Sequence, residues 1–212
     1  VSAALLSCEH LVLMRQGETI SLPLCFQLTQ GQVLHVTGAN GSGKTTLLET
    51  LATLITPSQG QMRWQGQLLT SLGDGVRANW HYCAHNDALK KEWTLLEHLQ
   101  WQQRLFAQVV APAVLQKALT HMRLTQYLLL PLRQLSKGQQ RRAALLVLTL
   151  FPRALWLLDE PFSALDTQGA QALVQWMDCH CAQGGSVIFT THQPYPALSK
   201  QVDTLSLDSY RL

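Results

Sequence analysis

Apolar residues in this chain gather into short continuous runs that alternate with stretches of helical periodicity. "GQVLHVTG" holds one such run over residues 32–37, "LWLL" a second at Leu155–Leu158, and "GGSVIFTTHQ" a third. Runs of this kind, bounded by turn residues, suit strands covered on both faces. "KTTLLETLATLI" predicts a helix from Lys44, stopped at Thr56-Pro57. Further helices are predicted over 95–107, 112–123, from near Ser136, and over 167–183. Residues 5–28 read as two strands, 60–69 as a hairpin, and Trp80–Cys83 as another short strand. Strands that alternate with helices predict an α/β architecture with a parallel sheet. The block 86–150 is mostly helical and reads as a lobe inserted between 1–85 and 151–212, all in one domain.

Composition narrows the classes. The 212 residues are 47% hydrophobic and 14% charged, with net charge +3, enough for one sizeable core. The mild positive charge is scattered, without the Lys/Arg stripe of a nucleic-acid binder. The longest apolar stretch, 143–151, is too short to span a bilayer and ends at Pro152. No secretory signal pattern opens the sequence. Five cysteines at irregular spacing suit reduced thiols. Cys179-His180-Cys181 invites a metal or haem reading. No second ligand pair lies nearby, which favours a polar patch late in a helix.

The chemistry concentrates in a few segments. "GANGSGKT" matches the phosphate-loop pattern in full and lies between a buried strand and an apolar helix. Gly38, Ala39, Asn40, Gly41, Ser42 and Gly43 supply a curled backbone whose N–H groups point at phosphate oxygens. Lys44 is expected to reach the β- and γ-phosphates of a nucleotide, in a loop that serves kinases, GTPases and ATPases alike. Thr45 offers a hydroxyl to Mg2+, and Thr46 follows in the first helical turn. "ALWLLDE" ends a strand on Asp159-Glu160. Asp159 suits the Mg2+ shell, and Glu160 suits a base that poises water for attack. Adjacent Asp-Glu favours hydrolysis over transfer to a small substrate. "LSKGQQRR" contains a capping box in which Ser136 caps and Gln139 returns the bond. Gly138 leaves that helix start bare, as an anion site requires.

Five segments, "GANGSGKTT", "LSKGQQRR", "LLDE", "SALD" and the strand-end His192, occur in an order that resembles ABC transporter ATP-binding subunits. The resemblance covers nearly the whole chain. It implies a P-loop NTPase fold: a RecA-like parallel-sheet core, an N-terminal antiparallel β subdomain and an inserted α-helical subdomain. It also implies a head-to-tail dimer that sandwiches ATP. The phosphate loop of one copy would face the signature Leu135, Ser136, Lys137, Gly138 and Gln139 of the other. Lys137 stands where the family usually has glycine. Glu160 is then the general base, His192 holds the γ-phosphate region, and Asp166 carries information across the dimer. "WQGQ", "DEPFSALD" and "GGSVIFTTHQP" further resemble the ATPase of the bacterial cytochrome c maturation haem exporter. The short stretch after His192 agrees with such a compact subunit. The implied partners are integral membrane subunits (CcmB-like and CcmC-like), at the cytoplasmic face of the inner membrane. No nucleic acid is implied, and no direct haem site is evident. Another cargo (lipoprotein, lipid or small solute) and a soluble non-transport ABC ATPase are the alternatives.

Two positions depart from the family pattern. Where many relatives stack an aromatic on adenine, "VLMRQGE" offers Arg15, so either its guanidinium stacks on the base or adenine is held loosely. Where relatives carry a glutamine after the core strand, this chain has His85. A neutral imidazole accepts a hydrogen bond from metal-bound water as glutamine does, and it can also protonate. His85 is therefore expected to couple the lobes, with a contact to Mg2+ as a further candidate role. Thr94 and Glu97 form another capping box. Trp93 beside it either lines a groove for a partner helix or packs within its own lobe.

Overall fold

The computed structural model describes residues 4–211. The chain opens with β1 (Ala4–Val12), a ribbon of β2 (Met14–Arg15) and β3 (Glu18–Thr19), and β4 (Leu24–Thr29). The two strands expected there are four, because a turn through Gln16 (φ 52) and Gly17 (φ 85) folds the polar middle onto itself. Then come β5 (Val33–Thr37), α1 (Lys44–Leu51), β6 (Gln59–Trp64), β7 (Gln67–Leu68) and β8 (Trp80–Cys83). Four helices follow: α2 (Leu95–Leu105), α3 (Pro112–His121), α4 (Lys137–Leu145) and α5 (Val147–Leu150). The last part holds β9 (Leu155–Leu158), α6 (Thr167–Ala182), β10 (Ser186–Thr190) and β11 (Val202–Ser206).

Three helices stop earlier than their periodicity predicts. Thr53 (φ 59), Ala107 (φ 49) and Arg123 (φ 55) take left-handed backbone just past α1, α2 and α3. Side chains and carbonyls fix these exits; Arg77, for example, donates to the Thr53 hydroxyl at 2.8 Å and its carbonyl at 3.1 Å. β11 was not expected at all. "VDTLS" is too polar to signal a strand by pattern, yet it pairs in parallel with β5 along its length.

An antiparallel sheet of order β4-β1-β6-β7 lies beside a parallel sheet of order β11-β5-β10-β9-β8. The parallel strands sort their side chains onto two cores. Leu155, Leu157, Ile188, Leu34 and Val36 face α1 and the antiparallel sheet. Trp156, Leu158, Val187, Phe189 and Val33 face α6 and the helices after β8. Continuous apolar runs are what two-sided burial demands. Among the described residues no helix is long and apolar enough to cross a membrane.

Three histidines are built into these cores. His81 bonds the Phe151 carbonyl at 2.5 Å, and His98 is 1% exposed. His180 stacks on Trp156 at 3.9 Å. Cys181 is buried while Cys179 is exposed, so the Cys-His-Cys triplet faces three different surroundings. Burial lowers the pKa of all three histidines to about 4. The unfolded chain protonates them near the ordinary value of about 6.5, so it binds more protons than the native state between roughly pH 6.5 and 4. Stability is therefore complete above pH 6.5 and falls as pH drops through that window. His81 alone contributes at most about 1.4 kcal/mol per pH unit. Thermal melts from pH 7.5 to 5 should show a falling Tm below 6.5, with a shallower slope in His98→Leu. A flat profile would contradict the buried neutral state.

Candidate functional site

The phosphate loop, Asp159-Glu160, His85 and His192 all follow strands of the parallel sheet at its C-terminal edge, where open α/β sheets bind ligands. β5 ends at Thr37, and the chain turns through Gly38 (φ 147) into the phosphate loop. A Cβ on Gly38 would lie 2.5 Å from the Ser42 hydroxyl, so a side chain there would collapse the curl. Ser42 N–H donates to the Ala39 carbonyl at 3.1 Å. Lys44 folds over the loop, and Nζ donates to the Gly38 and Ala39 carbonyls at 2.8 and 2.9 Å. Burial lowers the Lys44 pKa, and the charges of Glu160, Asp208 and Asp159 oppose that shift. The ammonium thus stands over the loop on neutral acceptors that a charged phosphate oxygen would outcompete. The Ser42 hydroxyl is buried without a partner beneath the same curl.

β9 delivers the two carboxylates. Asp159 is 2% exposed, and its Oδ2 accepts the Thr45 hydroxyl at 2.8 Å. Its Oδ1 accepts the Thr190 hydroxyl at 2.7 Å, and that hydroxyl accepts the Glu160 N–H at 3.0 Å. Thr190 at the end of β10 therefore locks both acidic residues to the neighbouring strand. Glu160 has left-handed backbone, φ 49, a conformation that costs a residue with a Cβ about 1–2 kcal/mol. Its Oε2 accepts the His192 N–H at 3.3 Å, and its Oε1 lies 3.8 Å from His192 Nε2.

A cavity of about 390 Å³ opens over these groups. Asn40, Gly41, Gly43, Lys44, Thr45 and Thr46 line it from the loop side; Asp159, Glu160 and His192 line it opposite. His85, exposed beyond β8, reaches the same cavity, as does Arg15 on β2. The structure thus brings together the phosphate loop, both acidic residues, His192, His85 and Arg15.

The signature lies elsewhere in this chain. None of residues 135–139 lines the cavity. Ser136 and Gln139 form the reciprocal capping box at the start of α4. Leu135 is a core residue, 5% exposed. Gly138 is also not bare within its own chain. A Cβ there would sit 2.6 Å from the Ala164 carbonyl, so the glycine admits a close backbone approach. Asp166 caps α6 by accepting the Gly169 N–H at 2.8 Å.

Several site residues carry no motif. Thr190 was hidden as an ordinary strand threonine. Asp208 accepts the Ala39 N–H at 3.1 Å from far along the chain, and no sequence signal points to it. Gln193 lines the cavity beside His192, and Ser163, the first residue of "SALD", lines it without having been singled out. Arg141 lies within "LSKGQQRR", two residues past the signature; its place in that segment was the signal available, and its burial, 3% exposed, emerges only from the fold.

The ABC transporter family profile matches residues 23–163. Cytochrome c biogenesis ATP-binding export protein CcmA of Escherichia coli (strain K12) is 39% identical over 207 residues, 98% of each chain. Its counterpart in Alkalilimnicola ehrlichii is 41% identical over 194 residues, 91% of this chain and 82% of that one. A solved ATP-binding subunit of an ABC transporter superposes with TM-score 0.78 at 25% identity, over 89% of this chain and 79% of that one. A putative ABC transporter ATP-binding protein from Pyrococcus furiosus gives TM-score 0.83 at 22% identity, over 98% and 99% of the two chains, and so shares the fold. With the phosphate loop, the strand-end carboxylates and the capped signature helix all in place, the chain belongs to the ABC transporter family as an ATP-binding subunit.

Proposed function

We propose that this chain hydrolyses ATP to power a membrane transporter that delivers haem, or releases a haem-loaded chaperone, during bacterial cytochrome c biogenesis. One observation carries the hydrolytic part: Glu160, Asp159 and His192 converge on the cavity that the phosphate loop opens into. The cargo rests on near-full-length similarity to the CcmA export proteins.

The phosphate loop and Lys44 would hold the triphosphate of ATP, with Ser42 Oγ as a spare polar group beneath it. Thr45 Oγ and Asp159 Oδ2, 2.8 Å apart, form a compact oxygen pair fit for Mg2+, with His85 as a further candidate contact. When bound, Mg2+ neutralises charge on the phosphates. Glu160 takes the proton of the attacking water, and its left-handed backbone aims the carboxylate into the cavity. His192, beside Glu160, orients groups at the γ-phosphate. Arg15 offers a guanidinium plane to adenine.

The signature residues Ser136, Lys137 and Gly138 would complete the site of a second copy in a head-to-tail dimer, and Asp166 would report across that interface. Family members include an ATP-binding cassette solved as a dimer in a post-hydrolysis state with ADP and Pi. The membrane partners, CcmB-like and CcmC-like subunits, would hold the chain peripherally at the cytoplasmic face of the inner membrane. A cleft of about 410 Å³ between β8 and α2 would receive a cytoplasmic helix of one of them. Trp93 is half-buried and packs edge-on against Trp101 at 6.0 Å, and Trp101 lines the cleft. The helical lobe, residues 86–150, would swing with that helix, and His85 would carry the motion to the nucleotide.

Glu160→Gln should keep ATP binding, lower turnover by at least about 100-fold, and yield a dimer that ATP stabilises. Phosphate release and size-exclusion chromatography check this, and persisting hydrolysis would remove the base assignment. His85→Gln should retain basal turnover but alter its response to the membrane partners. An unchanged response in reconstituted complexes would show that the histidine chemistry is irrelevant. Deletion of the chain in its host should abolish haem staining of periplasmic c-type cytochromes. Normal staining would reject the haem cargo while leaving the ATPase intact.

A further inference from the structure

Arg141 lies on α4 just past the signature and touches none of the cavity over the phosphate loop. Its guanidinium has five N–H donors, and every one finds an oxygen. Nε donates to the Pro161 carbonyl at 3.4 Å. Nη1 donates to the Ala84 carbonyl at 3.0 Å and to Asp87 Oδ1 at 2.7 Å. Nη2 donates to the Asp159 and Glu160 carbonyls at 2.9 and 3.0 Å. The ion pair with Asp87 offsets the cost of burying the charge.

Three segments meet on this one group. α4 supplies it. Ala84 and Asp87 flank His85 on the loop after β8. Asp159, Glu160 and Pro161 form the turn where Glu160 takes its left-handed backbone. Both carbonyls that bracket Glu160 point at the same nitrogen. A rigid planar fork can hold acceptors on several sides at once, whereas a lysine ammonium supplies three donors from one point. Arg141 also lines the cleft between β8 and α2, so it stands between that cleft and the carboxylates.

We infer that Arg141 is a positioning residue for ATP hydrolysis: it pins the turn that aims Glu160 and ties that turn to the His85 loop and to α4. This rests on the reading of Glu160 as the base. Arg141 acts on turnover without touching nucleotide, so its loss separates catalysis from binding. It also gives the signature helix and the His85 loop one mechanical link to the base. Any shift of either one is felt at Glu160 through the same guanidinium.

The test compares Arg141→Met, Arg141→Lys and Glu160→Gln in the full chain, by thermal melting, equilibrium ATP titration and phosphate release. Arg141→Met should bind ATP within about 3-fold of the native chain while kcat falls about 100-fold, the scale of a misplaced catalytic group. Arg141→Lys should lose about 10-fold in kcat with unchanged ATP affinity. Should the methionine variant fail to fold, the lysine variant carries the decision. A kcat within about 3-fold of native in a folded variant overturns the inference, as does affinity that falls in step with kcat. An active Glu160→Gln would remove the base reading itself. An inactive Glu160→Gln beside a fully active Arg141→Lys rejects the role of Arg141 alone.

Discussion

Parallel pairing of β5, β10, β9 and β8 is the constraint from which the site follows. Because the strands run the same way and in register, their C-terminal ends reach one edge together. Val36 pairs with Thr190, and Leu158 pairs with both Phe189 and Cys83. Within two residues beyond these pairs the phosphate loop, Asp159 and the His85 loop begin. A slip of one residue on β10 would turn Thr190 to the opposite face and leave Asp159 without its second hydroxyl. The two apolar cores therefore do more than stabilise the fold, since they fix the register that assembles the chemistry.

The charged groups buried at this edge are all paired. Asp159 sits between two threonine hydroxyls, and its backbone N–H donates to the Cys83 carbonyl at 2.8 Å. Arg141 spends every donor. Lys44 rests on the carbonyls of its own loop. A buried charge left without such partners would cost several kcal/mol, which explains why so few charged residues are buried and why they cluster. The exposed groups at the edge, His192 and His85, are the ones free to move with a ligand.

How much was legible in the sequence follows from the physics of each part. The strands flanking the phosphate loop were legible because burial on both faces leaves an uninterrupted apolar run. The caps at Ser136 and Thr94 were legible because capping is a local exchange over three residues. The exits at Thr53, Ala107 and Arg123 were not, because each is a local backbone closure around a residue other than glycine: Leu54 N–H donates to the Glu49 carbonyl, Gln108 N–H to Gln103 and Leu124 N–H to Leu119. β11 was not, since an edge strand beside a covered partner needs little hydrophobicity of its own. Motifs located Lys44, Asp159 and Glu160. They were silent on Thr190 and Asp208 and held Arg141 in "LSKGQQRR" without giving it a role, because all three act through contacts between segments far apart in the chain.

The position of β5 has a consequence for how the chain is made. Both of its neighbours, β10 and β11, lie far downstream of it in the chain, and Asp208, which holds the Ala39 N–H, follows them. The strand that launches the phosphate loop leaves the ribosome early, yet it has no partner in its sheet until Ser186–Thr190 emerge. During synthesis the loop is a tether without a frame, so a nucleotide finds no finished cradle on the nascent chain. Competence for ATP arrives late, once β10, β11 and Asp208 have closed over the strand that launches the loop.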